Sequence, residues 1–224
     1  MKLFVSWSGG KDSALAAYRA RQQGHPIAYL LNCVSEDGAR SRSHGLPAEV
    51  ISLQAQAMGI PLIQVQTSWE EYEAHFKDAM RMLSRAGVTG GVFGDMALDP
   101  HREWVERVCA EVGITPLLPL WGEDPDRLLE EFWAAGFRAV VVASREDPAW
   151  LGRPLDPKLV AEIRARGAHP CGEMGEYHTL VTEGPLFRRR LIVHPGADAQ
   201  ETVHQHQGVW FLDVTAVLEG ANGA

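Results

Sequence analysis

Leu3-Phe4-Val5-Ser6-Trp7-Ser8-Gly9-Gly10-Lys11-Asp12-Ser13 is the stretch that decides the fold. A short apolar run, Leu3–Trp7, stops at two glycines, and from Asp12 to Gln23 apolar residues recur at Leu15, Ala16 and Tyr18 before Gly24 closes the pattern. That spacing predicts a strand, a glycine turn and a helix. The unit then repeats. Ile27–Cys33 is a second strand, Ala48–Met58 a helix closed by Gly59, and Pro61–Val65 a third strand. Glu70–Arg85 places Tyr72, Phe76, Ala79, Met80 and Leu83 along one helical face, and Gly91–Gly94 forms a fourth strand running into Asp95. A helix near Arg102–Val112 and a fifth strand at Ile114–Leu118 complete the series. Strands alternating with helices over short connections imply right-handed crossovers and a five-stranded parallel sheet covered on both faces, an α/β architecture.

Beyond Pro119-Leu120-Trp121 the texture changes. A helix at Arg127–Ala135 and an apolar strand at Phe137–Ala143 lead into an irregular stretch, Ser144–Pro157. Strand-like pieces follow near Thr179–Val181, Arg190–Val193 and Val209–Val214 without matching helices between the last ones. This half reads as α+β, which divides the chain into residues 1–120 and a smaller C-terminal domain, 121–224. Gly220–Ala224 reads as a frayed tail.

Ser8-Gly9-Gly10-Lys11-Asp12-Ser13 carries the clearest chemistry. Adjacent glycines leave the backbone free of Cβ atoms, so successive N–H groups can turn toward one oxyanion. The first turn of the following helix adds unsatisfied N–H groups and a positive dipole end. Ser8 and Ser13 can donate hydroxyl bonds, and Lys11 reads as a mobile cation for a polyphosphate. The glycine-to-lysine spacing is too short for GxxxxGK[ST], and GxGxxG is absent.

Composition narrows the class. The chain has 224 residues, 46% apolar, with 21 basic against 29 acidic side chains and a formal charge of −8. That balance argues against a broad electrostatic grip on nucleic acid or anionic lipid, so an anion must be held locally. No apolar run is long enough to cross a membrane, and Cys33, Cys109 and Cys171 form no CxxC pair, which together point to a reducing, cytoplasmic setting.

A second stretch, Gly172-Glu173-Met174-Gly175-Glu176-Tyr177-His178-Thr179, sets two carboxylates three positions apart among glycines, then a histidine and a threonine. Such a loop can approach a ligand and present acid, base and hydroxyl groups. A solvated acidic turn entering a strand has the same composition.

Ser8–Ser13 resembles the PP-loop of the N-type ATP pyrophosphatases, and together with Gly172–Thr179 it resembles the diphthine–ammonia ligase family. The likeness continues through His44, Gly94-Asp95, Glu106 with Cys109, Pro119-Leu120-Trp121, Leu151-Gly152 and Leu155-Asp156. It departs at Ser41-Arg42-Ser43, where archaeal and eukaryotic members carry Tyr-Met-Phe or similar, and between Asp95 and Glu106, where spacing and composition differ. The resemblance implies a Rossmann-like sheet of the adenine nucleotide alpha hydrolase type. It further implies an AMP-forming ligase that adenylates a carboxylate with ATP and Mg²⁺, releases pyrophosphate and amidates with ammonia. Ser8, Gly9, Gly10, Lys11, Asp12, Ser13, His44, Gly94 and Asp95 would hold the nucleotide, with Asp12 and Asp95 on Mg²⁺. Glu173, Gly175, Glu176, Tyr177, His178 and Thr179 would form the acceptor pocket. Lys11, Asp12, Glu173, Glu176 and His178 would take part in the chemistry. The acceptor is a carboxylate on a small molecule or a protein side chain, and a homodimer is the candidate assembly. Two rival readings use the same loop: a tRNA-modifying enzyme, and a nucleotide sensor without turnover.

The remaining features read blandly. His204 and His206, with His194 upstream, read as surface histidines rather than a metal site, and Arg188-Arg189-Arg190 as a solvated strand edge. All three thiols read as buried small side chains. Trp7 is either a wall of the nucleotide pocket or core, while Trp69, Trp104, Trp133 and Trp150 read as packing residues.

Overall fold

The structure, a computed structural model, describes residues 1–195 and 203–220. Its first half alternates as expected: β1 (Leu3–Ser6), α1 (Lys11–Gln22), β2 (Ile27–Val34), α2 (Ala48–Met58), β3 (Leu62–Gln66), α3 (Tyr72–Arg85), β4 (Gly90–Val92), α4 (Asp99–Val112) and β5 (Thr115–Leu117). The five strands are parallel and lie in the order β3-β2-β1-β4-β5. The chain therefore winds outward from β1 and returns to its other side at β4. That reversal opens a crevice at the carboxyl ends of β1 and β4.

Alternation along the strands sends neighbours to opposite faces. Phe4 and Leu31 join Phe76, Met80, Phe93 and Val108 under α3 and α4. Leu3, Val5 and Leu30 join Ala14, Ile51 and Met58 on the α1 and α2 side. The second cluster does not stop near residue 120: Leu128, Phe132, Phe137, Val141, Trp150, Leu180 and Val214 belong to it as well. Both halves of the chain thus share one dry interior, and Trp7 belongs to it, 1% exposed.

The second half holds α5 (Pro125–Ala134), β6 (Arg138–Ser144), α6 (Pro157–Ala165), β7 (Tyr177–Glu183), β8 (Leu191–Pro195), β9 (Val203–His206), β10 (Val209–Leu212) and β11 (Val214–Leu218). An antiparallel sheet runs β7-β6-β10-β9, and β8 pairs with β11. Two features differ from expectation. Helix α6 follows the stretch read as irregular; Asp156 caps it by accepting from the Leu159 N–H at 2.8 Å, and Pro157 occupies its first turn. The piece read as one strand, Val209–Val214, is two strands in different sheets, parted at Asp213. That carboxylate is held by Arg40 at 2.6 Å and lies 3.3 Å from His204. Residues 221–224 of the expected tail lie outside the described residues. Among the described residues no helix is long and apolar enough to cross a membrane, and no group of three or more His, Cys, Asp or Glu is arranged to hold a metal ion.

Candidate active site

The carboxyl end of β1 runs into the glycine turn, where Gly9 takes a left-handed φ of +85°, a conformation that L side chains resist. Gly10 then caps α1 and offers no side-chain bond to it. Ser13 Oγ donates to the Gly10 carbonyl at 3.0 Å and lies 3.1 Å from Ser8 Oγ, and the Gly10 N–H donates to Ser8 Oγ at 3.3 Å. The Lys11 N–H is taken by Thr179 Oγ1 at 3.1 Å. Among the described residues no protein acceptor takes the N–H of Gly9, Asp12 or Ser13. Open donors at the positive end of a helix can receive anionic oxygens.

The outer side of the turn is fixed from behind. Gly9 O accepts from the Val181 N–H and from Gln54 Nε2, both at 2.9 Å. Gln54 also donates to Val181 O at 2.7 Å and accepts from Trp7 Nε1 at 2.9 Å. It is wholly buried. The sequence did carry a signal for it, because Gln54 is the polar exception on the α2 face formed by Val50, Ile51, Ala55 and Met58.

Lys11 is not the mobile cation expected. Its side chain turns back from the cleft and is 5% exposed, with Nζ donating to Asp12 Oδ2 at 2.8 Å and to the Cys171 carbonyl, 5.3 Å from the centre of the Tyr177 ring. Burial alone would lower the ammonium pKa; Asp12, Tyr177 and Cys171 outweigh it and hold the group above its ordinary value. Lys11 therefore straps the acidic loop to α1. Lys11→Met is expected to lower stability by about 2 kcal/mol, the cost of stranding a buried acceptor. It should change ATP affinity less than about tenfold; urea denaturation and nucleotide titration check the two halves of this expectation.

The acidic loop divides in two. Gly172, Glu173, Met174, Gly175 and His178 line the cleft. Glu176, Tyr177 and Thr179 do not. The Glu176 carboxylate accepts from the His169 and Met174 N–H groups at 2.8 and 2.9 Å, and Tyr177 donates to the Pro170 carbonyl at 2.6 Å. These residues shape the loop and leave Glu173 as its carboxylate on the cleft. Glu173 Oε1 accepts from Ala97 N at 3.1 Å, while burial, with Asp12 and Asp95 nearby, pushes its pKa upward.

His44, carried on the β2–α2 connection, stacks on His178 with ring centres 4.5 Å apart. His44 Nδ1 lies 3.1 Å from the Thr179 carbonyl, and a Cβ on Gly10 would overlap His44 Cε1. Burial first, then the neighbouring His178 charge and Lys11, lower the His44 pKa well below its usual value. Burial, Lys11 and Arg145 bring His178 down to about 4. Both rings are neutral at pH 7.

On the opposite side, Gly94 presses its backbone against the start of α1, and Asp95 projects toward the cleft with Oδ1 3.2 Å from His101 Nδ1. Burial pushes the Asp95 carboxyl up, His101 opposes this, and the Asp12 charge adds to it. Beyond Asp95 the wall is aromatic. Trp69 and Tyr72 lie 5.7 Å apart, Tyr72 and Trp104 6.0 Å apart, and Trp104 is pinned through its indole N–H to Glu73 at 2.9 Å. Trp69 and Trp104, expected in the packing, thus line the cleft. Trp7, the indole nearest the loop in sequence, does not. The whole cleft encloses about 650 Å³, with serines, carboxylates and imidazoles at one end and aromatic rings at the other.

The thiols lie outside this chemistry. Burial pushes Cys33 up to about 11 and Cys109 and Cys171 to about 12. The folded protein is expected to leave all three unmodified by a thiol reagent at pH 8 and to react at all three once denatured; fast labelling of Cys171 in the native state would contradict this.

A doubly wound parallel sheet with an open-donor glycine turn at the head of its first helix defines a Rossmann-like α/β protein with a cleft at the strand reversal. Comparison with known proteins narrows the class. A family model described as the diphthamide synthase N-terminal domain matches residues 1–116, and one described as the diphthamide synthase C-terminal domain matches residues 124–217. The chain belongs to the diphthamide synthase family. The diphthine–ammonia ligase of Homo sapiens is 31% identical over 231 residues, covering 91% of this chain and 85% of that one. That of Schizosaccharomyces pombe is 28% identical over 244 residues, covering 98% of this chain and 40% of the longer yeast protein. Among solved structures, a "predicted subunit of tRNA methyltransferase" from Methanocaldococcus jannaschii aligns over 83% of this chain and 98% of that one, with a TM-score of 0.45 and 16% identity.

Proposed function

We propose that the chain is an ATP-dependent, AMP-forming ligase that joins ammonia to a carboxylate; relatives named diphthine–ammonia ligase support the ligase part of this reading. A substrate carboxylate attacks the α-phosphorus of ATP and pyrophosphate departs; ammonia then displaces AMP from the acyl adenylate, leaving an amide. The observation that carries this reading is the cleft-facing start of α1, where the N–H groups of Asp12 and Ser13 stand open beside the Ser8 and Ser13 hydroxyls. Donors fixed in this way can stabilise the charge gathering on a departing pyrophosphate without reorganising. The aromatic end of the cleft is assigned to the base.

Mg²⁺ fits the residues present. Asp12 and Asp95 bring two carboxylates to the same end of the cleft, Asp12 sharing its charge with Lys11, and this ion takes one or two carboxylates, substrate phosphates and retained waters rather than a full protein cage. When bound it would neutralise phosphate charge. Asp12 and Asp95 would hold it, and Glu173, Gly175 and His178 would face the acceptor. Glu176, Tyr177 and Thr179 would act by shaping that wall.

The test is an incubation with ATP–Mg²⁺, ammonium and a panel of carboxylates that includes a diphthine-bearing protein, following AMP and pyrophosphate. Both products, formed in step with amide and lost in Asp95→Asn, are the expected result. ADP and orthophosphate would overturn the reading. Nucleotide binding without either pair of products would make the chain a sensor, and adenylation of a co-purifying RNA would make it a tRNA-modifying enzyme.

A further inference from the structure

A seat for several phosphate charges needs positive charge near it, yet among the described residues no lysine or arginine lines this cleft. Lys11, the cation nearest in sequence, is turned away onto Asp12 and the Cys171 carbonyl. What the cleft wall offers instead are groups that can become cationic. One of them, His101, is largely exposed and already set against Asp95. The other two are His44 and His178, stacked face to face and half-buried on the cleft wall.

We propose that the His44–His178 pair is the cation of the phosphate site, taking up one proton as a polyphosphate enters and releasing it as pyrophosphate leaves. The inference rests on the polyphosphate reading given above and deepens it. Its geometry is specific about the atom. A carbonyl oxygen only accepts, so the contact with Thr179 O places the neutral His44 proton on Nδ1 and the lone pair on Nε2. The ring atoms nearest Gly10 are Cε1 and Nδ1, and His44 also lines the cleft. A proton arriving at Nε2 therefore makes a cation on the cleft wall beside the glycine turn, with an N–H able to donate a charge-assisted bond to a phosphate oxygen.

Stacking sets the stoichiometry. Two rings at 4.5 Å do not both carry charge, so the pair behaves as one titrating unit. The surrounding charges explain what holds the pair neutral. Lys11 from α1 opposes protonation of both rings, and Arg145, just after β6, opposes it at His178. Glu176 favours it from the acidic loop, but its carboxylate is engaged by two backbone N–H groups. Gly10 and Thr179, the other groups against His44, bring no charge. Several negative charges entering the cleft reverse that balance, and the proton comes from bulk water and returns to it.

Calorimetric titration of the full chain with ATP–Mg²⁺ at pH 7.5, in buffers of different ionisation enthalpy, measures the uptake. The measured heat should vary with buffer enthalpy with a slope of about half to one proton taken up per nucleotide bound. His44→Gln, whose amide can still donate to Thr179 O, should bind with a slope near zero. Independently of any variant, nitrogen NMR of the histidines in the native protein should show an imidazole gaining its second N–H on adding ATP–Mg²⁺. Binding with the same heat in every buffer and no change in the imidazole signals would overturn this inference and leave the phosphate seat standing. Failure of ATP–Mg²⁺ to bind at all would overturn the phosphate seat with it.

Discussion

Gly94→Ala is expected to weaken ATP–Mg²⁺ binding about 100-fold, the loss that follows when a positioned group moves by roughly an ångström. A Cβ at this position would lie 2.9 Å from both Asp12 C and Ser13 N. Those are backbone atoms of the first turn of α1, so nothing flexible can yield. Either the helix start or the turn bearing Asp95 must shift, and the new methyl group crowds one of the open N–H donors. The effect corresponds to about 2.7 kcal/mol of binding free energy. Nucleotide titration measures it, with thermal melting to show that the variant remains folded. Affinity within about twofold of the parent protein would mean that phosphates do not sit at this helix start.

Gln54→Ala is expected to cost roughly 3–5 kcal/mol of folding free energy, each unsatisfied buried polar group contributing about 1–3 kcal/mol. Removing the amide strands Trp7 Nε1 and Val181 O, and leaves Gly9 O with the Val181 N–H as its partner. A loss of this size is a large share of the 5–15 kcal/mol that typically separates folded from unfolded chains. Gln54→Met separates hydrogen bonding from packing, since it fills the volume without polar atoms. The expectation is that methionine costs nearly as much as alanine in urea denaturation. A methionine variant as stable as the parent would show that space filling, not bonding, is what Gln54 supplies.

The first half was legible because its elements announce themselves locally. Helix α2 falls at Ala48–Met58 as its period predicts, with Gly59 closing it in a left-handed conformation. The glycine turn between β1 and α1 was equally plain. Helix α6 had a local signal that went unread: Asp156 and Pro157 look like the end of a loop, yet an aspartate before a proline also caps and opens a helix. The division of Val209–Val214 had none, because alternation along a strand says nothing about which neighbour each residue pairs with; Asp213 marks the break through Arg40, far away in sequence.

The site shows the same asymmetry. Which residue types gather at the loop could be read from Ser8–Ser13 and Gly172–Thr179, but the direction of each side chain could not. Lys11 is drawn inward by a carbonyl 160 positions away, and Glu176 by the amides of its own loop. Trp69 and Trp104 looked like packing because nothing local separates an indole in a core from one at the rim of a cleft. Trp7 sits beside the loop in sequence yet points to Gln54 beneath the sheet.

The glycine turn is held by residues that come late in the chain: Thr179 takes the Lys11 N–H, and Val181 donates to Gly9. During synthesis the first strands and helices emerge from the ribosome well before either residue has been made. A nascent chain released short of β7 carries the glycine turn without its backing, which leaves the proposed seat for ATP unfinished. On the proposed reading, ATP is held only once translation has passed Val181, so a truncated product is expected to be inert rather than a free-running consumer of ATP.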